Sequence, residues 1–406
     1  MSKVICGDCN LTIAFSFLYC TVSRYHSYLN SAKQILQQYN GEEPFASFLK
    51  KYFSANKKYG SKDRKQVSNL CYCFFRIGKI ADDLPVEEKI LMAFFLCSNE
   101  PNEILETLKP EWNRMLRVSP IEKLSSVNFQ LSSAFPWKGE LSNEIDYEKY
   151  CESFFTQPDL FIRIRPGYAE PVLLKLDGLK VQYEFISPFT IRLPNSFKAD
   201  QHFELDKEVV VQDYSSQNIA HFLPLDHGKN LKVWDCCAGS GGKSIMAYDL
   251  NPHIELTVSD VRESILANLK KRFQKAGIKK YKTFISDLRS QLPIPNSQFQ
   301  LIICDVPCTG SGTWSRTPEQ LYYFNENKIE EYSALQKRIV SNVIPHLQPG
   351  SSFIYITCSI FKKENEKVVE FIKQKFHMQL KQMELLKGYD KKADSMFIAV
   401  FSSLSS

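Results

Sequence analysis

The chain has 406 residues, a formal net charge of +6, 44% hydrophobic and 24% charged residues. That length allows two or three domains, and the composition is ordinary for a globular protein. No segment is long and apolar enough to cross a membrane, and the 12 cysteines sit largely in apolar runs, without the spacing of a disulfide framework, so a reducing cytoplasm is expected.

Residues 11–22 form a short apolar stretch preceded by Lys3 alone among basic residues. It is too short to span a bilayer and lacks a cleavage site, so residues 1–23 are expected to be a poorly ordered leader. Cys6-Gly7-Asp8-Cys9 is a lone CxxC. A structural zinc site needs a second ligand pair, and none follows at suitable spacing, so no metal is expected.

Residues 24–140 carry helical periodicity. Phe45, Phe48, Leu49, Tyr52 and Phe53 share a face, as do Val67, Leu70, Cys71, Phe74 and Phe75 after a cap at Ser61 or Asp63. Leu91, Phe94 and Phe95 lie in a third run. Residues 155–212 change character. Strands are predicted at 160–165, 181–185, 190–193 and 209–211, with a short helix at 172–176 stopped by Asp177-Gly178. This is an α+β connector.

Residues 213–406 alternate strand and helix. Strands are predicted at 232–235, 254–260, 283–286, 300–305, 353–357 and 396–401. Helices are predicted around Ile265–Phe273, over 328–346, and after Glu364. Such alternation implies a doubly wound α/β sheet with right-handed crossovers. Leu301 to Cys304 and Phe353 to Ile356 read as interior strands, buried on both faces. Chemistry in such a sheet lies past the carboxyl ends of its strands.

The first of these strands runs into Asp235-Cys236-Cys237-Ala238-Gly239-Ser240-Gly241-Gly242-Lys243-Ser244. Glycines let the backbone approach a ligand and open a helix toward it. Gly242-Lys243-Ser244 imitates the end of a phosphate loop, but Cys237 stands where that motif needs glycine, which argues against an NTPase. Asp260 follows at the offset, about 20 residues, of an acid that binds ribose hydroxyls. Asp287 ends the third strand, placed for an adenine amino group. Loop and acids describe an adenosine site, which leaves NAD and S-adenosylmethionine open.

Cys308, in Asp305-Val306-Pro307-Cys308-Thr309-Gly310, and Cys358, in Thr357-Cys358-Ser359, follow the fourth and fifth strands. Two thiols there would face one ligand. A thiolate added to carbon 6 of a cytosine makes carbon 5 nucleophilic toward a methyl sulfonium. The step needs an ionisable cysteine, a group such as Asp305 on the ring edge, and a means to break the adduct.

These motifs resemble the RsmB/Nop (Sun) family of S-adenosylmethionine-dependent RNA 5-methylcytosine methyltransferases. Val211-Gln212-Asp213, Leu335-Gln336 and Glu364-Asn365-Glu366 fit as well. The resemblance implies a Rossmann-like class I methyltransferase sheet, preceded by the connector and an N-terminal NusB-like helical RNA-binding domain. It implies Cys358 as nucleophile, Cys308 as the residue that helps release product, and Asp305 and Lys243 beside the base. For the cofactor it implies Cys237, Ala238, Gly239, Ser240, Gly241, Gly242, Lys243, Asp260, Arg262, Asp287 and Asp305. The implied partner is RNA, most like 16S rRNA, with tRNA or a non-catalytic ribosome-assembly role as alternatives, and the protein is expected to be a monomer. Basic clusters at Lys57, Lys58, Lys62, Arg64 and Lys65, and from Lys270 to Lys282, are expected on RNA phosphates. This chain departs from the family at Gly239-Ser240, where Ala-Pro is usual, at Ser315, where arginine is common, and at Asp394-Ser395-Met396-Phe397, where Asp-Gly-Phe-Phe is usual.

Overall fold

The computed structural model describes residues 8–225, 228, 230–290 and 298–404, with side chains from residue 23 onward. Cys6 and the apolar side chains of 11–22 therefore lie outside the described residues, although the first helix, Asp8–Gln38, begins within the expected leader. The chain forms two compact units. One comprises Met1–Lys138, Cys151–Thr156 and Thr317–Phe324, and the other comprises Gly139–Tyr150, Gln157–Arg316 and Asn325–Ser406.

The first unit is helical. Its helices Phe45–Ala55, Ser61–Arg76 and Val86–Cys97 bury the predicted faces: Phe45, Leu49 and Phe53, then Val67, Leu70, Phe74 and Phe75, then Leu91, Phe94 and Phe95. Burial of each such side chain contributes roughly 1.5–3 kcal/mol. The second helix is capped one residue earlier than expected, at Gly60, whose N–H donates to Asp63 Oδ2 at 3.1 Å. Thr317–Phe324 is counted with this unit because Tyr322 packs on its aromatic core, 5.3 Å from the Phe74 ring centroid and 5.6 Å from that of Phe75.

The second unit holds two sheets. The smaller contains β1 (Leu160–Ile164), β2 (Glu184–Ser187), β3 (Thr190–Leu193) and β4 (Val209–Val211) in the antiparallel order β2-β3-β1-β4. The helix Ala169–Leu179 packs Val172 and Leu176 into it. It passes through Asp177-Gly178 and ends on Lys180, which takes a left-handed φ of 48°.

The larger sheet contains β5 (Lys232–Asp235), β6 (Glu255–Asp260), β7 (Tyr281–Ile285), β8 (Phe299–Asp305), β9 (Leu347–Thr357), β10 (Gln379–Leu386) and β11 (Met396–Ser402). Its order is β10-β11-β9-β8-β5-β6-β7, parallel except where β11 pairs with β9 and β10. β10 is absent from the sequence prediction because it is a mostly exposed edge strand with only Leu385 and Leu386 buried. The interior strands alternate between two cores. Val233, Val258, Leu301, Ile303, Ile354 and Ile356 face Ile245, Leu266, Leu269 and Phe273. Trp234, Ile302, Cys304, Phe353 and Tyr355 face Ile339, Val340, Val368 and Ile372. Strand order reverses between β5 and β8, so the crevice past their carboxyl ends is the expected ligand position. Among the described residues, no helix is long and apolar enough to cross a membrane.

Candidate functional site

The glycine loop leaves β5 and starts the helix Gly242–Leu250. Gly239 and Gly241 take positive φ values of 53° and 84°. A side chain at Gly241 would also meet Phe273 Cε1 at 2.8 Å, so this turn requires glycine on both conformational and steric grounds. The Ala238 N–H donates to Ser259 O at 2.9 Å, and the Gly239 N–H donates to Asp260 Oδ2 at 3.0 Å. The loop is thereby pinned to the end of β6. Ser240 is held by Arg272, whose Nη1 donates to its Oγ at 2.9 Å and its carbonyl at 3.0 Å, while Asp206 secures the same guanidinium at 2.7 Å. Arg272 is thus a strut to the loop, whereas Lys270, Lys271, Lys275, Lys279, Lys280 and Lys282 are exposed.

Asp260 also accepts from Arg262 N at 2.9 Å and Arg262 Nε at 3.0 Å. Burial alone would push this carboxyl up, but Arg262 and the two N–H groups outweigh it and hold it below the usual carboxylate range. Val261 and Ile285, beside it on neighbouring strand ends, are 53% and 54% exposed. Apolar side chains left open next to a fixed acid suit a purine and its ribose, yet the sequence pattern did not single them out. Asp287 stands past the end of β7, paired with Arg289 at 2.7 Å, which lowers its pKa.

Asp235 is buried at the head of the loop. Its Oδ2 accepts from Ser244 Oγ at 2.6 Å, and its Oδ1 has no hydrogen-bond partner. Burial, aided by Asp305, raises its pKa to about 7. A folded-state pKa above the unfolded value, about 3.9, stabilises the fold below the unfolded pKa, and this contribution is lost as pH rises through about 7. Asp235→Asn is therefore expected to gain thermal stability relative to the parent between pH 5 and pH 8. A melting-temperature difference that does not change over that range would contradict the assignment.

Beside it, Lys243 Nζ donates to Asp305 Oδ2 at 2.5 Å. Burial disfavours the ammonium, but Asp305 and Asp235 outweigh it and raise its pKa, so Lys243 stays charged. Cys237 is half-buried, and hydrogen bonding with the buried Cys236 and Cys304 thiols lowers its own thiol to about 6.

β8 and β9 pair in parallel with Asp305 opposite Ile356, which carries Cys308 and Cys358 to the same edge. Their sulfurs lie 3.0 Å apart. The Cys308 thiol is raised well above its ordinary value, first by its hydrogen bond with Cys358 and then by burial. The loop bearing Cys308 is fastened on its far side. The Gly312 N–H donates to Cys358 O at 2.8 Å and Gly312 O accepts from Ser395 N at 2.8 Å. Arg316, next to Ser315, holds Asp394 at 3.0 Å and Asp213 at 3.0 Å. The structure therefore brings Lys243, Asp305, Cys308 and Cys358 together, with the glycine loop and Asp260 alongside. Among the described residues no group of three or more His, Cys, Asp or Glu side chains could hold a metal ion.

Residues 222–401 match the family described as 16S rRNA methyltransferase RsmB/F. The ribosomal RNA small subunit methyltransferase B of Enterobacter sp. (strain 638) is 32% identical over 172 residues, 41% of this chain and 39% of that relative. The chain thus aligns with about two fifths of the length of such curated relatives. The solved structure of PH0851 superimposes with a TM-score of 0.63 at 19% identity, covering 88% of this chain and 94% of that one. A methyltransferase homolog protein from Pyrococcus horikoshii gives 0.57 at 21% identity, covering 70% and 98%. These two structures establish the fold. S-adenosylmethionine is the cofactor of such a domain, and the residues fit it. A Cβ on Gly239 or Gly242 would meet nothing within 4 Å, so the loop borders open space, and Asp260, Val261 and Ile285 stand along it. The fold and the glycine cradle fall within residues 222–401, the stretch of this chain that is similar to the RsmB/F family of methyltransferases.

Proposed function

We propose that this protein methylates carbon 5 of a cytosine in RNA, most like 16S rRNA, through a covalent adduct on Cys358. The observation that carries this reading is the pair of thiols 3.0 Å apart at the ends of neighbouring parallel strands, beside Lys243 and Asp305. A methyltransferase acting on oxygen or on an amine needs neither thiol.

In this reading the cytosine is unstacked into the crevice so that carbon 6 meets Cys358. When bound, S-adenosylmethionine supplies an electrophilic methyl group to carbon 5. Asp260 would hold the ribose, and Val261 and Ile285 would stand beside the adenine. Asp305 contacts the ring edge, and the Lys243 ammonium supplies the positive charge that offsets negative charge gathering there. Cys308 is suited to the release step: once its own proton has passed to solvent, its thiolate takes the proton on carbon 5, and the electron pair of that bond expels Cys358 from carbon 6 as a thiolate. That assignment supports Cys358, rather than Cys308, as the attacking sulfur. The exposed lysines from Lys270 to Lys282 are suited to phosphate contacts.

Bisulfite sequencing of total RNA from a deletion strain tests the proposal. Loss of one methylcytosine, restored by the intact gene and not by a Cys358→Ala version, is the expected result. An unchanged pattern in both rRNA and tRNA would overturn it, and a lost site in tRNA would move the substrate.

A further inference from the structure

The segments bearing the two thiols meet through backbone at Val306 N–Ile356 O, 3.1 Å, and at Gly312 N–Cys358 O, 2.8 Å, and between these points one buried carboxylate touches both. Glu364 is fully buried. Its Oε2 accepts from the Thr309 N–H at 2.9 Å and from Gln336 Nε2 at 2.9 Å. Its Oε1 accepts from Thr309 Oγ1 at 2.5 Å and from Ser359 Oγ at 2.6 Å. Thr309 directly follows Cys308, and Ser359 directly follows Cys358. Gln336 Nε2 also donates to Pro307 O at 3.0 Å, on the other side of Cys308. The neighbouring Asn365 brackets Cys358 in the same manner, accepting from Thr357 Oγ1 at 2.6 Å and donating to Ser359 O at 2.8 Å.

Four donors fill the acceptor sites of one carboxylate, which offsets the cost of burying it. The two oxygens are not equivalent. Oε2 meets N–H donors, which cannot reverse, while Oε1 meets two hydroxyls, which can turn to accept. A glutamine placed with its carbonyl toward Thr309 N and Gln336 would satisfy both sides, whereas alanine would strand the N–H groups.

We propose that Glu364 is a positioning residue that clamps the Cys308 and Cys358 loops together and sets the distance between their sulfurs. The consequence for catalysis rests on the cytosine-methylation reading. The sulfur geometry does not, so the two can be tested apart. Diamide, an azo oxidant, takes two electrons and two protons from a pair of adjacent thiols, becomes a hydrazine and leaves one S–S bond. Its rate of linking Cys308 to Cys358 in the full-length protein, followed by peptide mapping, reports the separation without RNA.

Glu364→Ala is expected to slow this link by about 10-fold and adduct formation on 5-fluorocytidine RNA by on the order of 100-fold, since a displacement near 1 Å has that effect on a reacting pair. Glu364→Gln is expected to restore both to within about threefold, and S-adenosylhomocysteine affinity should stay within about threefold in each variant. Ser359→Ala, which removes one hydroxyl arm and keeps the carboxylate, should slow the link by about threefold and covers the case in which Glu364→Ala fails to fold. Wild-type linking rates in both Glu364→Ala and Ser359→Ala, or a Glu364→Gln as slow as alanine, would overturn the proposal. A parent protein that links its sulfurs but forms no RNA adduct would instead overturn the methylation reading.

Discussion

Cys358→Ala is expected to lower methyl transfer to RNA by on the order of 10⁴-fold or more, because removing a covalent nucleophile removes the pathway and not only a contact. The same variant should form no covalent complex with RNA. Cys308→Ala is expected to behave differently. It keeps the attacking sulfur but lacks the group that opens the way to product, so RNA should stay attached through a denaturing gel. The asymmetry has a physical basis in this structure. The two sulfurs lie 3.0 Å apart, and the hydrogen bond between them, together with burial, keeps the proton on Cys308. Covalent RNA on Cys358→Ala, with none on Cys308→Ala, would reverse the two roles.

Gly312→Ala is expected to abolish activity nearly as fully, without touching any group that reacts. A Cβ there would lie 2.1 Å from Ser395 O and 2.9 Å from Cys358 O, both backbone atoms that cannot swing away. The Gly312 N–H and carbonyl are hydrogen-bonded to those same two residues. Relieving the clash must therefore pull the Cys308 loop off Cys358 or push away the segment after β10. Overpacking of this kind costs about 1–3 kcal/mol where neighbours can adjust, and more where they are backbone. The expected signature is a lowered melting temperature together with loss of the diamide-induced link between the two sulfurs. A Gly312→Ala protein with parental stability and parental linking would contradict the close approach.

The fold was legible where burial left a strong mark on composition. Leu301 to Cys304 and Phe353 to Ile356 are buried on both faces, so each reads as an unbroken apolar run, and both became interior strands that pair in parallel with each other. β10 was illegible for the converse reason, since Lys381, Gln382 and Glu384 on an exposed edge carry no apolar period. Helix ends were legible only approximately. Asp63 was readable as part of a cap, but the choice of Gly60 as the cap residue depended on which N–H the carboxylate reached.

The candidate site divides in the same way. Asp260, Lys243, Asp305 and the two cysteines stand at strand or loop ends that periodicity locates. The sequence pattern did not single out Val261 and Ile285, because exposed aliphatic residues have no signature until the strands beside them are paired. Glu364 and Gln336 were visible as part of a resemblance, but their partners at Thr309 and Ser359 are distant in sequence, and no local rule links them.

By itself the sequence determined which residues are candidates for the chemistry and at which end of the sheet they stand, because strand period and glycine placement are local properties of the chain. Only the tertiary structure decided that two sulfurs 50 positions apart come within 3.0 Å, that Arg272 and Arg316 serve as struts, and that one buried carboxylate joins both thiol loops. Those outcomes depend on packing between segments remote in sequence, where a side chain's partner is set by what the fold brings to it.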